Sequence, residues 1–312
     1  MRRIAAILSL ALVAMPARAE VPRVVTDIPP VHALAAAVMG DLGAPDILLD
    51  KGADPHHFQL RPSQARALEG ADLVVWVGPR LTPWLDRAID GVGLSGASIE
   101  LISAEGMVRR DLGEDNHDHD HDHDHDQAEA GHDEPAHDGT DPHAWLDPGN
   151  ARRWVEVIAA ALTALDPDNA AAYAANADAA RAAIEAAEAE ARGILAPVAD
   201  APVMVFHDAY GYFADHFGVN VVGAIALGDA ARPGAGRLRA LRDTLQAAGA
   251  VCIFPEAQHD PAYVAALVDG TGVRVGAPLD PSGSTLDYGP ALYGALLVGM
   301  AGAIADCVTG TE

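Results

Sequence analysis

The sequence predicts an α/β protein of two lobes, each a parallel sheet flanked by helices, bridged by one long rigid helix. Three observations carry this reading. Short apolar runs alternate with helical patterns in the first half of the chain, the same rhythm returns after residue 200, and a long alanine-rich segment separates the two stretches. The chain's 312 residues suit about two domains of the usual ~150 residues. With half the residues hydrophobic and 21% charged, there is enough apolar surface to build a core and too little charge for general disorder.

The N-terminus reads as an export signal. Arg2 and Arg3 precede an apolar run over residues 4–15, and Ala17-Arg18-Ala19 offers a cleavage site, so a signal peptide spans residues 1–19 and is cut after Ala19. The apolar run is shorter than the ~20 residues that span a bilayer, and no cysteine near the cut indicates a lipid anchor. The predicted location is the periplasm. Three arginines leave with the signal, taking the formal charge from −25 to −28. So acidic a field repels nucleic acid and anionic lipid, which excludes both as partners.

The first lobe covers residues 20–165. Apolar runs at 24–28, 46–49, 73–77 and 98–102 read as strands, and the patterns over 31–39 and 63–68 as helices between them. Residues 166–197 form the linking helix. Asp166 is the expected N-cap, Pro167 the first helical position, and Gly193 with Pro197 the stop. Alanine, glutamate and arginine fill its interior, with one continuous stripe at Tyr173, Ala177, Ala180, Ile184, Ala187, Ala191 and Ile194. About 28 residues at 1.5 Å each give roughly 42 Å. Such a segment is a stiff strut, since a flexible hinge is richer in glycine and serine. The second lobe, residues 198–312, repeats the strand rhythm at 203–206, 219–222, 251–254 and 273–275. It also holds both cysteines, Cys252 and Cys307. They are either two buried free thiols or a disulfide, which an oxidising compartment preserves and which would restrict the unfolded chain by roughly 4 kcal/mol.

One segment belongs to neither sheet. Residues 111–138 hold twelve acids, no bases and seven histidines: His117, His119, His121, His123, His125, His132 and His137. Almost nothing there is apolar, so a disordered loop is expected. Imidazoles alternating with carboxylates suit divalent metals, and ordering a floppy chain around them costs entropy. The loop is therefore an auxiliary, low-affinity metal tract.

The other histidines divide by context. In open α/β sheets, ligands gather beyond the carboxyl ends of strands. His56 in GADPHHF belongs at that edge of the first lobe. His207, directly after the run 203–206, belongs at that edge of the second, with Glu256 and with Asp280 of APLDPSG. His143 sits in DPHAWLDP ahead of a helix capped by Asp147. Three imidazoles and a carboxylate from distant sequence make a zinc-like set. Glu256 is expected to orient a ligand imidazole, and His32 and His259 are weaker candidates for the same task. His57 is expected to point away, and His216 to lie at the surface.

DPHHFQLRPS, TDPHAWLDP, FHDAYGYFADHFG and LDPSG, in this order around an acidic histidine loop, resemble the ZnuA-type solute receptors of bacterial zinc ABC importers. The resemblance covers essentially the whole chain after the signal. It implies two α/β lobes, a rigid bridging helix and a metal cleft between the lobes. It implies Zn²⁺ as the bound ion, His56, His143 and His207 as ligands, and Asp280 or a water as the fourth. Pro55 stands where some members carry a glutamate ligand. The family's cysteine pair falls on Cys252 and Cys307. Manganese receptors of the wider family carry a carboxylate at the third position, and the imidazole of His207 favours zinc. The implied partners are an inner-membrane permease and its ATPase, and a periplasmic zinc chaperone; a monomer is expected. A zinc hydrolase also uses three protein ligands and an open position, but no HExxH or comparable base is present, and an enzyme is not predicted. A zinc-buffering surface protein without a transporter is a third reading.

Overall fold

The computed structural model describes residues 21–111, 139–226 and 235–311. The predicted signal peptide and all seven histidines of the acidic tract lie outside the described residues. Each apolar run of the sequence supplies a strand. In the first half, β1 (Val24–Thr26), β2 (Asp46–Ile47), β3 (Leu73–Trp76) and β4 (Ala97–Glu100) alternate with α1 (Pro29–Met39), α2 (Pro62–Glu69) and α3 (Pro83–Val92). All three helices begin on proline, whose fixed φ and missing N–H suit the first turn. The strands are parallel in the order β2-β1-β3-β4.

α4 (Pro148–Leu165) follows, with Asp147 Oδ1 accepting from the Gly149 and Asn150 amides as its N-cap. α5 (Ala170–Leu195) is the long helix, 26 residues and about 39 Å by the helical rise. The second half holds β5 (Val203–His207), α6 (Gly211–Phe217), β6 (Val221–Ala226), α7 (Ala235–Ala247), β7 (Cys252–Ile253), α8 (Ala262–Val268), β8 (Arg274–Val275) and α9 (Leu292–Thr309). Its parallel sheet has the order β6-β5-β7-β8, the same winding as the first. β6 starts later than predicted. Gly218 takes a left-handed turn at φ 74°, and pairing with β5 continues through the small apolar run Gly-Ala-Ile-Ala.

The long helix departs from expectation at both ends. Asp166 caps the C-terminus of α4, and its side chain accepts from the Tyr173 hydroxyl at 2.9 Å and the Asn169 amide at 2.7 Å; no side-chain cap bond is formed. Gly193 stays helical, and the helix ends at Leu195, where Pro197 has no N–H to donate to the Gly193 carbonyl and continue the ladder. The buried stripe closes on Leu195 in place of Ile194, because the step of four from Ala191 keeps it facing the core. α1, α4, α6 and α9 pack around α5. The small side chains let them approach closely: a Cβ on Gly294 of α9 would stand 3.3 Å from that of Ala187. Among the described residues α9 is long and apolar enough to cross a membrane, but Leu292, Leu296, Leu297, Met300 and Ile304 are buried in the protein core.

β5 explains how the two halves share that core. Its five residues are all buried, as expected for a parallel strand covered on both faces. Val203 and Val205 join a large cluster that also holds Val24, Leu73, Ile158, Tyr173 and Leu297. Met204 and Phe206 point the other way, into a smaller cluster with Ile225, Leu245, Ile253 and Leu267. His207 follows Val205 on the side of the large core by the period of two. In both sheets the winding reverses beside the first strand, between β1 and β3 and between β5 and β7. This is the switch point at which α/β sheets collect ligands.

Candidate metal centre

His207 ends β5 and Glu256 lies just past β7, where a parallel bridge between Glu256 and Leu279 prolongs the β7–β8 ladder. These two residues flank the second sheet's switch point. His56 arrives from the loop between β2 and α2, and His143 from the turn before α4.

One local device presents both of the latter residues. Asp54-Pro55-His56 and Asp141-Pro142-His143 are the same tripeptide. In each, the aspartate Oδ1 accepts the histidine amide two residues on, at 2.9 Å, an Asx turn. Trp84 Nε1 donates to the Pro55 carbonyl at 2.7 Å, and Trp145 Nε1 donates to the Pro281 carbonyl at 2.8 Å.

The three rings converge. Ligand atoms of His56, His143 and His207 lie within 4.8 Å of one another. The Nε2 atoms of His143 and His207 face each other at 3.4 Å, which is roughly the edge of a tetrahedron with metal–nitrogen bonds of ~2.0–2.1 Å. His143 Nδ1 bonds Asp141 Oδ1 at 2.7 Å, and His207 Nδ1 bonds Glu256 Oε1 at 2.6 Å. A carboxylate at Nδ1 holds the proton there and leaves the Nε2 lone pair turned inward, as for metal-binding histidines generally. The cavity between the rings has about 20 Å³ of free space, room for one water-sized occupant. The chemistry of this donor set is that of a borderline divalent ion such as zinc.

The electrostatics agree with that chemistry. Burial lowers the His143 pKa, and the neighbouring His207 and His56 lower it further, against Asp141, which raises it. A neutral imidazole is the ligand-competent form. Burial opposes ionisation of Glu256, but the His207 charge and hydrogen bonds from His207, His259 and Tyr210 outweigh it and hold the carboxyl at about 2.

The other expected residues fall elsewhere. Asp280 is in neither group of neighbouring ligand atoms found among the described residues. Its Oδ1 accepts from Gln258 Nε2 at 2.8 Å and the Ser284 amide at 3.1 Å, and its Oδ2 from the Thr285 amide and hydroxyl at 2.8 and 2.6 Å. Gln258 and Ser282 line the cavity where Asp280 does not. His57 is exposed and bonds Asp54 Oδ2 at 3.2 Å. His32 is buried in α1 against Tyr288, away from the cluster. His216 departs from its expected surface position. It is half-buried between Asp147 Oδ1 at 3.4 Å and Glu188 Oε1 at 2.8 Å. A disulfide joins Cys252 and Cys307.

Two groups escaped the sequence reading. Asp141 orients His143, and the repeated D-P-H tripeptide was its legible signal. Arg110 lies 3.9 Å from the buried Asp141 and pairs with Asp215; Gly211 accommodates it, because any Cβ there would meet the guanidinium. No local pattern marks Arg110.

Comparison with known proteins agrees with this geometry. The family model described as zinc-uptake complex component A, periplasmic (ZnuA), matches residues 24–307. The chain is 50% identical to the high-affinity zinc uptake system protein ZnuA of Paracoccus denitrificans, covering 96% of each. It is 34% identical to the Yersinia pestis protein of the same name, covering 88% of each. Among solved structures, a zinc-bound deletion mutant of ZnuA superposes with a TM-score of 0.72 at 26% identity, covering 92% of this chain and 98% of that one. The Mn²⁺ complex of FpvC from Pseudomonas aeruginosa shares the fold, with a TM-score of 0.75 at 23% identity, covering 93% and 99%. With the family model spanning nearly the whole chain, this protein belongs to the ZnuA family of periplasmic zinc-uptake components.

Proposed function

We propose that the protein is the zinc receptor of an ABC importer: it captures periplasmic Zn²⁺ as cargo on the Nε2 atoms of His56, His143 and His207 and delivers it to the membrane permease and its ATPase. The observation that carries this is the convergence of three imidazoles from separate segments, two of them at a tetrahedral edge distance of 3.4 Å. Water takes the fourth position in this reading. Asp280 would first have to surrender hydrogen bonds from Gln258, Ser284 and Thr285. A replaceable fourth ligand also suits cargo that must leave.

A receptor fits the site better than a hydrolase does. Glu256 and Asp141, the buried carboxylates beside the rings, are engaged by His207, Tyr210 and His259 and by His143 respectively, so they serve to orient ligands in place of acting as a general base. The remaining parts of the proposal follow the family. Export ends with cleavage after Ala19, the chain acts as a monomer, and a zinc chaperone can load it. Residues 20–165 and 198–312 act as two lobes held by the segment 166–197, and the histidines between 117 and 137 collect zinc weakly for the cleft. A chelator-competition titration of His56→Ala, His143→Ala and His207→Ala tests the site. The tight zinc phase should weaken about 100-fold or more in each, and negligible losses in all three overturn the assignment.

A further inference from the structure

The cavity has a second set of candidate ligands that shares only His207 with the capture site. His207, Glu256 and His259 also bring one donor atom each within 4.8 Å of one another. His259 Nε2 lies 3.3 Å from Glu256 Oε2, again roughly the edge of a tetrahedral zinc polyhedron. The His259 ring is held in place by stacking on Phe206, with centroids 4.3 Å apart and planes 17° apart. Its side chain is 26% exposed and lines the same cavity as the first three histidines.

The division of labour at Glu256 is informative. Both Tyr210 Oη and His207 Nδ1 donate to Oε1, whereas Oε2 faces His259. An ion shared by Glu256 Oε2 and His207 Nε2 leaves the Nδ1–Oε1 bond that orients His207 intact. Buried carboxylates are costly unless paired or placed on a metal, and Glu256 is 3% exposed.

The two sets differ in which half of the chain supplies them. His56 and His143 come from before α5. His207, Glu256 and His259 all come from after it, from the end of β5 and the segment following β7. We propose that His207, Glu256 and His259 form a second metal position, built wholly by the C-terminal half, onto which Zn²⁺ passes when His56 and His143 let go. His207 belongs to both sets and serves as the pivot. The step is ligand exchange: two nitrogen donors are released and one carboxylate oxygen and one nitrogen are gained, without redox chemistry or a covalent bond. The ion would then rest on a harder N₂O set, reached from the partly exposed His259 side.

This inference rests on the capture site proposed above, and one pair of experiments separates their failures. Crystals of the full chain soaked in zinc should give a zinc-edge anomalous peak among His56, His143 and His207; its absence there removes the capture site itself. Crystals of the His56→Ala, His143→Ala chain should give a peak among His207, Glu256 and His259, and adding His259→Ala should erase it. A peak in the parent with none at the second set in the double variant overturns the second position alone. Should the double variant fail to fold, His259→Ala in the otherwise intact chain provides the readout. Stopped-flow release of zinc to a chelator should slow about tenfold, the lower end of the effect of losing a group beside a metal site. An unchanged release rate overturns the handover.

Discussion

The two D-P-H turns are identical in sequence and different in setting. In both, aspartate Oδ1 takes the histidine amide at 2.9 Å. At the second turn the same oxygen also holds the ring, at His143 Nδ1. At the first, the other oxygen of Asp54 goes to the exposed His57 instead. The second turn is also tied across the chain: Tyr212 Oη donates to the Asp141 carbonyl, Trp145 Nε1 to the Pro281 carbonyl, and Tyr293 Oη to the Trp145 carbonyl. The first is braced by Trp84 and Phe58 within its own half, and its loop reaches the other half through the Gly52 amide, which donates to the Ser284 carbonyl at 3.1 Å. A tripeptide can set a backbone turn by itself; whether the imidazole it presents is rigid depends on what packs against it. At the second turn one carboxylate holds both the amide and the ring of His143, whereas Asp54 divides its oxygens between the His56 amide and His57.

Breaking the orienting carboxylates tests this contrast most strongly. Asp141→Asn should weaken zinc binding by about 10–100-fold, the usual cost of losing a carboxylate behind a ligand histidine, and Asp54→Asn by less than about 10-fold on the same scale. Equal losses in a competition titration remove the distinction.

His216 sharpens it next, because it braces the Asp147 cap that follows His143 and also bonds Glu188 of α5. The hydrogen bond that the His216 ring donates to Asp147, with Glu188 adding to it and burial opposing, raises the His216 pKa above 6.5. A raised histidine pKa stabilises the fold fully below 6.5, and that contribution is lost as pH rises through the folded value. His216→Gln should therefore cost about 1 kcal/mol near pH 6 and less near pH 8, read as urea midpoints at the two pH values. A gap that widens with pH contradicts the assignment. Burial lowers the His143 pKa below 6.5, giving the opposite sign in the metal-free protein: His143 favours folding above 6.5 and penalises it as pH falls below.

Asp280→Asn comes third. With its carboxylate occupied by Gln258, Ser284 and Thr285, it should change zinc affinity by about 10-fold or less, well short of His207→Ala. A loss matching His207→Ala would make Asp280 the fourth ligand. The smallest effect belongs to His57→Ala, within about twofold for an exposed side chain outside the cluster; a large loss would show that His57 reaches the ion.

Much of the fold was legible in the chain because its signals are local. Val24-Val25 and Leu73-Val74-Val75 read as buried strands from composition, 31–39 and 63–68 as helices, and Tyr173 through Ala191 as one face of a long helix. His56, His143 and His207 were legible through motifs that mark strand ends and turns. Asp280 shows the limit. Its place after a strand was correctly inferred, but its hydrogen bonds from Gln258 and Thr285 depend on how two loops pack. His216 likewise looked like a surface residue within its own helix, until α4 and α5 are brought against it.

The sequence by itself determined the alternation of strands and helices, the stiff alanine-rich strut and the two Asx turns that present histidines, since each depends on residues a few positions apart. Only the tertiary structure decided which imidazoles meet. His207 reaches Glu256 across 49 residues and His143 across 64. Such pairings follow from the parallel crossovers and the shared core, whose contacts no local period encodes.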